Sequence, residues 1–307
     1  MTDVQARHPE IIQGTTASTV TPPRSRFRPQ GQLHGWGRAA YLFVLIVAVV
    51  IFVYPLVWLV SASLKPKEQV FDNRLWPYEI RLQNFVDVFN AGPVLQWLIN
   101  SVTVSIAAAV TVTLSSALVA FGFAFFRFRY RNLLFGLVLA TMMLPGAVTM
   151  IPVYLIWNQV GLANTQVPLW AQNLFGSAFY IFLLRQFFLG VPRELFEAAR
   201  VDGCSYLGLF WRIALPLCRP ALVIVFVFEV QASWSDLLKP LIYLQSPELF
   251  TMPRGLKQIV DGFALSGEYH WEVAMAASLI AVIPMIIVFA VAQRSFLDGL
   301  ATQARQG

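Results

Sequence analysis

Residues Val191 to Pro220 read VPRELFEAARVDGCSYLGLFWRIALPLCRP, the most polar run between Asn132 and Leu238, set between two long apolar segments. Pro192 suits a helix start, and Glu194 in the first turn favours the positive end of the helix dipole. The pattern predicts a helix through Glu197, Ala198, Ala199 and Arg200, stopped at Asp202-Gly203, where glycine accepts the left-handed cap. Ser205 is placed to cap a second helix, Tyr206 to Leu215, which Pro216 is expected to end. Such a hairpin is too short to cross a bilayer and too apolar to stand free in water. Phe196, Leu207, Phe210, Trp211 and Ile213 need a partner surface, and Ala198 and Ala199 let that surface approach the backbone closely, as in helix-in-groove recognition. The competing reading is an amphipathic hairpin lying on the membrane surface.

Composition sets the surroundings. Of 307 residues, 57% are hydrophobic and 12% charged, with a mean hydropathy of +0.63, whereas water-soluble domains carry roughly a quarter charged residues. The chain reads as an all-α integral membrane protein with several spans. Its net charge of +6 is dispersed among apolar runs, which excludes a nucleic-acid-binding face. The two cysteines, Cys204 and Cys218, sit in or beside the hairpin and indicate reduced thiols rather than a disulfide framework.

Residues 1–38, with Pro22-Pro23 and no periodicity, read as a disordered cytoplasmic tail. A six-span domain is expected over 39–296 and a short cytoplasmic tail over 297–307. With ~20 apolar residues needed per crossing, the expected spans are Ala40–Ala62, Ser101–Phe126, Leu133–Val160, Pro168–Leu189, Pro220–Leu244 and Val273–Ser295. In the second, Ala109, Thr113, Ser116, Ala120 and Ala124 stand at or near small-xxx-small spacing, which lets helix backbones pack closely in lipid. In the third, Pro145 and Pro152 each remove a backbone donor, giving either a kink or broken backbone that lines a cavity. This topology puts 15 of the 22 Lys and Arg on the side of the hairpin and both termini; by the positive-inside rule that side is cytoplasmic.

Several chemistries have no residues to support them. No lysine belongs to a G-x-x-x-x-G-K-[ST] phosphate loop, His8, His34 and His270 form no metal motif, and no G-x-S-x-G elbow occurs. The chain is therefore expected to have no catalytic, cofactor or metal site. Any ATP-driven work would fall to another polypeptide.

Glu197-Ala198-Ala199, then Asp202-Gly203, then Pro216 and Pro220 resemble the EAA loop of bacterial binding-protein-dependent ABC importer permeases. Cys204 stands where that family usually has alanine. The resemblance extends from about Gly35 to Leu300. Phe182 to Phe188, Ser233-Trp234-Ser235-Asp236 with Pro240-Leu241, and Gln293 to Phe296 with Gly299-Leu300 are similar to the carbohydrate-uptake class, six-span maltose and glycerol-phosphate type. Ser235 and Lys239 depart from it, where relatives usually carry asparagine and an aromatic. The resemblance implies a type I importer permease whose cytoplasmic coupling loop, 191–220, meets the ATPase through Glu197, Ala198, Ala199, Asp202, Gly203 and Pro216. It further implies a heterodimer with a second permease, two copies of an ATPase subunit that hold ATP and Mg, an extracytoplasmic binding protein, a sugar substrate and a bacterial inner-membrane location.

A substrate path is expected from Glu229, Ser233 and Asp236, whose i, i+4, i+7 spacing puts them on one helix face, together with Asn173 in the fourth span. Ionisable groups at membrane depth face a cavity or pair with an opposite charge; for Asp236 the pairing alternative is a basic group, one on the partner permease included. Two other functions compete. A stand-alone secondary transporter would use the same acidic face for an ion, but has no use for a docking hairpin. An integral-membrane enzyme lacks a catalytic cluster.

Overall fold

The computed structural model describes residues 36–72 and 74–304, with side chains to Gln293. Most of the expected N-terminal tail, the last three residues and the side chains of the C-terminal tail lie outside the described residues. Among these, every regular element is helical. The chain separates into one unit ending at Phe52 and a second beginning at Val53.

Helix α1, Trp36–Ser63, continues through Pro55. It leads to a polar segment and a short amphipathic helix, α2, Gln83–Ala91. Helix α3, Val94–Phe125, has 32 residues, about 48 Å at 1.5 Å each, and begins seven residues before the expected span. It is the axle of the second unit. Ala109, Thr113, Ser116, Ala120 and Ala124 are all buried, in line with the small-residue stripe, and α3 packs there against α7, Ala178–Leu189, and α11, Arg219–Trp234.

The expected third span is two helices, α4, Arg131–Thr141, and α5, Gly146–Gln159, which meet at 95°. Of the two prolines, Pro145 makes the break: it sits extended before α5, while the helix runs on through Pro152. The fourth span is interrupted as well. A short α6, Val167–Ala171, stops before Gln172, and α7 starts only at Ala178. There Ser116 Oγ of α3 accepts a hydrogen bond from the Ser177 amide at 3.0 Å, satisfying backbone freed by the interruption. The fifth likewise ends at Trp234 and resumes as α12, Leu238–Tyr243. Last come α13, Met252–Ser266, and α14, Trp271–Ala304, which passes through Pro284 and beyond the expected Ser295. Among the described residues three helices are long and apolar enough to cross a membrane, or up to five spans if each of two bent pairs, α4 with α5 and Tyr206–Leu217 with α11, is one.

Two buried clusters form at opposite ends of α3. One gathers Val94, Trp97, Tyr243, Phe250, Met252 and Ile259 near its start. The other gathers Phe121, Leu184, Phe188, Phe196, Leu209 and Phe210 near its end.

Candidate functional site: the hairpin and the cleft

The hairpin forms as two helical arms. Helix α8, Arg193–Val201, ends where Gly203 adopts φ +82°. The Gly203 amide donates to Arg200 O at 3.1 Å and the Cys204 amide to Ala199 O at 2.9 Å, the pair of bonds that defines a Schellman cap. Ser205 Oγ then accepts from the Gly208 amide at 3.1 Å and caps the second arm, as its sequence position predicts. That arm starts as α9, Tyr206–Leu209, passes through a π-helical turn, Phe210–Ala214, and finishes as α10, Leu215–Leu217. Pro216 thus lies inside the arm instead of ending it. The wider turn, in which the Leu215 amide donates to Phe210 O, accommodates a proline that would clash in a regular α-helix. The arm and α11 meet at 81°.

The partner surface expected for the hairpin's apolar residues is, for some of them, this chain itself. Phe196 and Phe210 are buried, and Ile213 and Ala199 pack on the same cluster formed with α3 and α7. Phe121 lies within 5.2–6.1 Å, centroid to centroid, of the rings of Phe125, Phe126, Phe188, Phe196 and Phe210. Leu207 and Trp211 remain exposed at 62% and 53%, and Val201 at 89%. Glu197, Ala198, Asp202, Gly203 and Pro216 are exposed too. The hairpin is therefore anchored on one side and bare on the other. Both cysteines are free thiols.

A cleft of about 370 Å³ opens where three helix breaks converge. The start of α5 gives Gly146, Ala147, Thr149, Met150 and Val153. The gap before α7 gives Gln172 and Asn173, and the gap after α11 gives Asp236, Leu238, Lys239 and Tyr243. Broken backbone lines a cavity here, one of the two outcomes the prolines allowed. Asp236 lies beyond the end of α11 and is half-buried, so it does not share a helix face with Glu229 and Ser233. Its Oδ1 accepts from the Lys239 amide at 3.2 Å, and its Oδ2 is 3.3 Å from Lys239 Nζ. The ion pair considered for Asp236 exists within this chain. Gln172 Nε2 donates to Tyr243 Oη at 3.2 Å. Of the expected path residues, Asn173 and Asp236 line the cleft. Glu229 does not; it is buried and held by the Tyr180 hydroxyl of α7. Ser233 does not line it either.

Sequence reasoning missed Lys239 as a cleft residue because it read Pro220–Leu244 as one unbroken span and counted Lys239 with the charges of the far side. The signal was present in its departure from the aromatic that relatives carry. The cleft offers amide, ammonium and carboxylate groups on one side and methyl-rich side chains on the other. Among the described residues no group of three or more His, Cys, Asp or Glu could hold a metal ion. This arrangement offers hydrogen-bonding and charged groups of the kind a polar solute can use.

An all-helical membrane fold with broken helices around a polar cleft and an anchored hairpin defines a transport component. Residues 110–300 match the family described as binding-protein-dependent transport system inner membrane component, and the chain belongs to that family. It is a permease subunit of ABC importers and an integral membrane protein, not itself an enzyme; the stand-alone secondary transporter is not supported. The arabinooligosaccharides transport system permease protein AraQ of Halalkalibacterium halodurans is 32% identical over 272 residues, 87% of this chain and 94% of that one. The sn-glycerol-3-phosphate transport system permease protein UgpE of Escherichia coli is 32% identical over 266 residues, 84% of this chain and 93% of that one. A chain in the crystal structure of a bacterial ABC transporter involved in the import of the acidic polysaccharide alginate shares the fold, with a TM-score of 0.72 and 24% identity over 85% of this chain and 99% of that one.

Proposed function

We propose that this permease serves the ATP-driven import of a sugar or sugar-like solute, with 191–220 as its coupling loop and the 370 Å³ cleft as part of the path. The observation that carries the reading is the two-sided hairpin: Phe196, Leu209 and Phe210 are buried in the subunit, while Glu197 and Ala198 face away. A hairpin lying on the membrane surface would turn its apolar side to lipid; this one turns Phe196, Leu209 and Phe210 to α3 and α7 and presents to a partner a face that mixes Glu197, Ala198 and Asp202 with bare Val201, Leu207 and Trp211. Relatives named for arabinooligosaccharides and for sn-glycerol-3-phosphate support a polyhydroxylated solute.

In this reading the three long helices, the bent pair of α4 and α5, α7 and α11 make six spans. Both termini and the hairpin are cytoplasmic. A second permease completes the path, and two ATPase copies hold ATP and Mg, this chain binding no cofactor of its own. An extracytoplasmic binding protein delivers the solute. Asn173, Asp236 and Lys239 contact it, and Glu229 supports the path from behind.

Coupling is tested in the reconstituted complex by sugar uptake, substrate-stimulated ATPase activity and ATPase pull-down. Nothing lies within 4 Å of a Cβ at Gly203, so Gly203→Val acts only through its φ, at about 1–2 kcal/mol of backbone strain. Gly203→Val and Glu197→Lys should insert normally and lose coupled transport. Normal transport and ATPase binding by both would reduce the hairpin to a structural element. For orientation, a cysteine at Ala91 should label from outside intact cells and Cys204 should not; outside labelling of Cys204 overturns the topology.

A further inference from the structure

The turn between α3 and α4 reads Arg127-Phe128-Arg129-Tyr130-Arg131 and encloses, with Asn132 and Leu133, a concave pocket of about 320 Å³. Among the described residues none of its three arginines forms an ion pair. A fourth arginine, Arg185 of α7, interacts electrostatically with Arg131 and lies 4.3 Å from the Phe135 ring of α4, its Nε buried without a hydrogen-bond partner. Four like charges gathered without a counterion repel one another, so a site of this kind is stabilised by an anion.

The surroundings say which anion. Beside the arginines Phe128 and Tyr130 are exposed at 44% and 56%, and one turn into α4 Leu133, Leu134 and Leu137 are exposed at 62%, 44% and 56%. A band of arginine, then aromatic, then bare leucine follows the profile of one phospholipid: phosphate, interface and acyl chain. An acidic protein surface would match the arginines and leave the leucines in water.

We propose that the 127–131 turn binds the headgroup phosphate of an anionic phospholipid. Arg127, Arg129 and Arg131 supply the donors, and the acyl chain lies along Leu133, Leu134 and Leu137. The site also touches the hairpin: Phe126, directly before the turn, stacks edge-on against Tyr206 at 5.1 Å, and the Arg200 guanidinium lies 4.1 Å above that same ring. An occupied headgroup site therefore steadies the ground on which the hairpin stands. The site is independent of the reading of solute and partners given above.

The importer complex is titrated with phosphatidylglycerol or phosphatidylcholine and followed by native mass spectrometry, counting lipid retained on this subunit. Each basic residue at an anionic surface contributes about fivefold in affinity. Arg127→Gln, Arg129→Gln and Arg131→Gln combined should weaken phosphatidylglycerol retention about 100-fold, leave phosphatidylcholine unchanged and keep the melting temperature. The matching triple lysine variant should restore most of the binding. Three results overturn the proposal: retention of phosphatidylglycerol by the glutamine variant, its displacement by equimolar inorganic phosphate, or loss of the ATPase subunit with lipid retention unchanged. The second would make the site a free-phosphate site, the third a protein contact.

Discussion

At the start of α3, side chains hydrogen-bond backbone that is distant in sequence. Trp97 Nε1 donates to Pro247 O at 2.8 Å, Asn100 Nδ2 to Glu248 O and Phe250 O at 2.8 and 2.9 Å, and Ser101 Oγ accepts from the Met252 amide at 2.6 Å. Asn164 adds bonds to the Gln245 and Ser246 amides, and Gln166 one to Leu249 O. At the other end of α3, among the described residues, no side-chain hydrogen bond ties the hairpin to α3 or α7; five rings around Phe121 do the holding. Hydrogen bonds fix one register, because each donor left unpaired in a buried place costs about 1–3 kcal/mol. Ring pairs contribute about 0.5–1.5 kcal/mol beyond burial and tolerate a range of offsets. One end of the subunit is built to stay put, and the end that carries the hairpin can shift without breaking specific bonds.

The largest test of this contrast is at Gly255. A Cβ there would stand 2.1 Å from Trp97 Cε3 and 2.2 Å from Trp97 Cδ2. The indole is pinned by its bond to Pro247 O, so it cannot swing aside. Gly255→Val should destabilise by about 3 kcal/mol or more, seen as loss of monodisperse protein in fluorescence-detected gel filtration. A normal elution profile would mean that this end is as plastic as the other.

A matched pair comes next. Asn100→Leu removes the donor from two carbonyls and should cost about 2–4 kcal/mol, whereas Phe188→Leu, which stays apolar and gives up one ring pair with Phe121, should cost about 1–1.5 kcal/mol. Thermal melts of the purified complex measure both. Equal losses break the comparison. A larger loss at Phe188 reverses it.

The same contrast decided what the sequence revealed. The hairpin was legible because its devices are local: Pro192, Gly203 and Ser205 act within a turn of themselves, and each does what its residue type predicts. The small-residue stripe of α3 was legible because lipid leaves packing as the main driving force. The helix breaks at Gln172–Ser177 and Ser235–Leu237 were not. Neither segment contains a proline; the first is held by a group far along the chain, Ser116, which accepts from the Ser177 amide, and the second by Asp236, which accepts from the Lys239 amide. Sequence reasoning therefore carries one helix from Pro220 to Leu244 and sets Asp236 on a face with Glu229, whereas Asp236 lies in the second break and pairs with Lys239 of α12. Pro216 misled in the opposite sense, since a π turn absorbs it.

The smallest expected effect lies near the hydrogen-bonded end, where the chain leaves α1. Lys65 is fully buried, and its ammonium donates to the Asp72 carboxylate and to Arg74 O at 2.6 Å. Asn84 of α2 holds the same bend through Ser63 O and Lys65 O, both at 2.9 Å. The hydrogen bond from Lys65 keeps the Asp72 carboxyl below its ordinary value of 3.8, against a smaller opposing effect of burial. A depressed carboxylate stabilises the fold at pH above its unfolded pKa, and that contribution disappears as the pH falls through the still lower folded value. Wild type should therefore melt above Asp72→Asn at neutral pH, with the gap holding down to about pH 5 and closing below 3.8. The gap should be small, because Asp72 is on the surface and water and salt screen it. Melting curves of both proteins across that range in one detergent decide the matter. A gap that persists unchanged in acid would mean that the Asp72 carboxylate's charge contributes nothing, and that the buried Lys65 is held by backbone carbonyls alone.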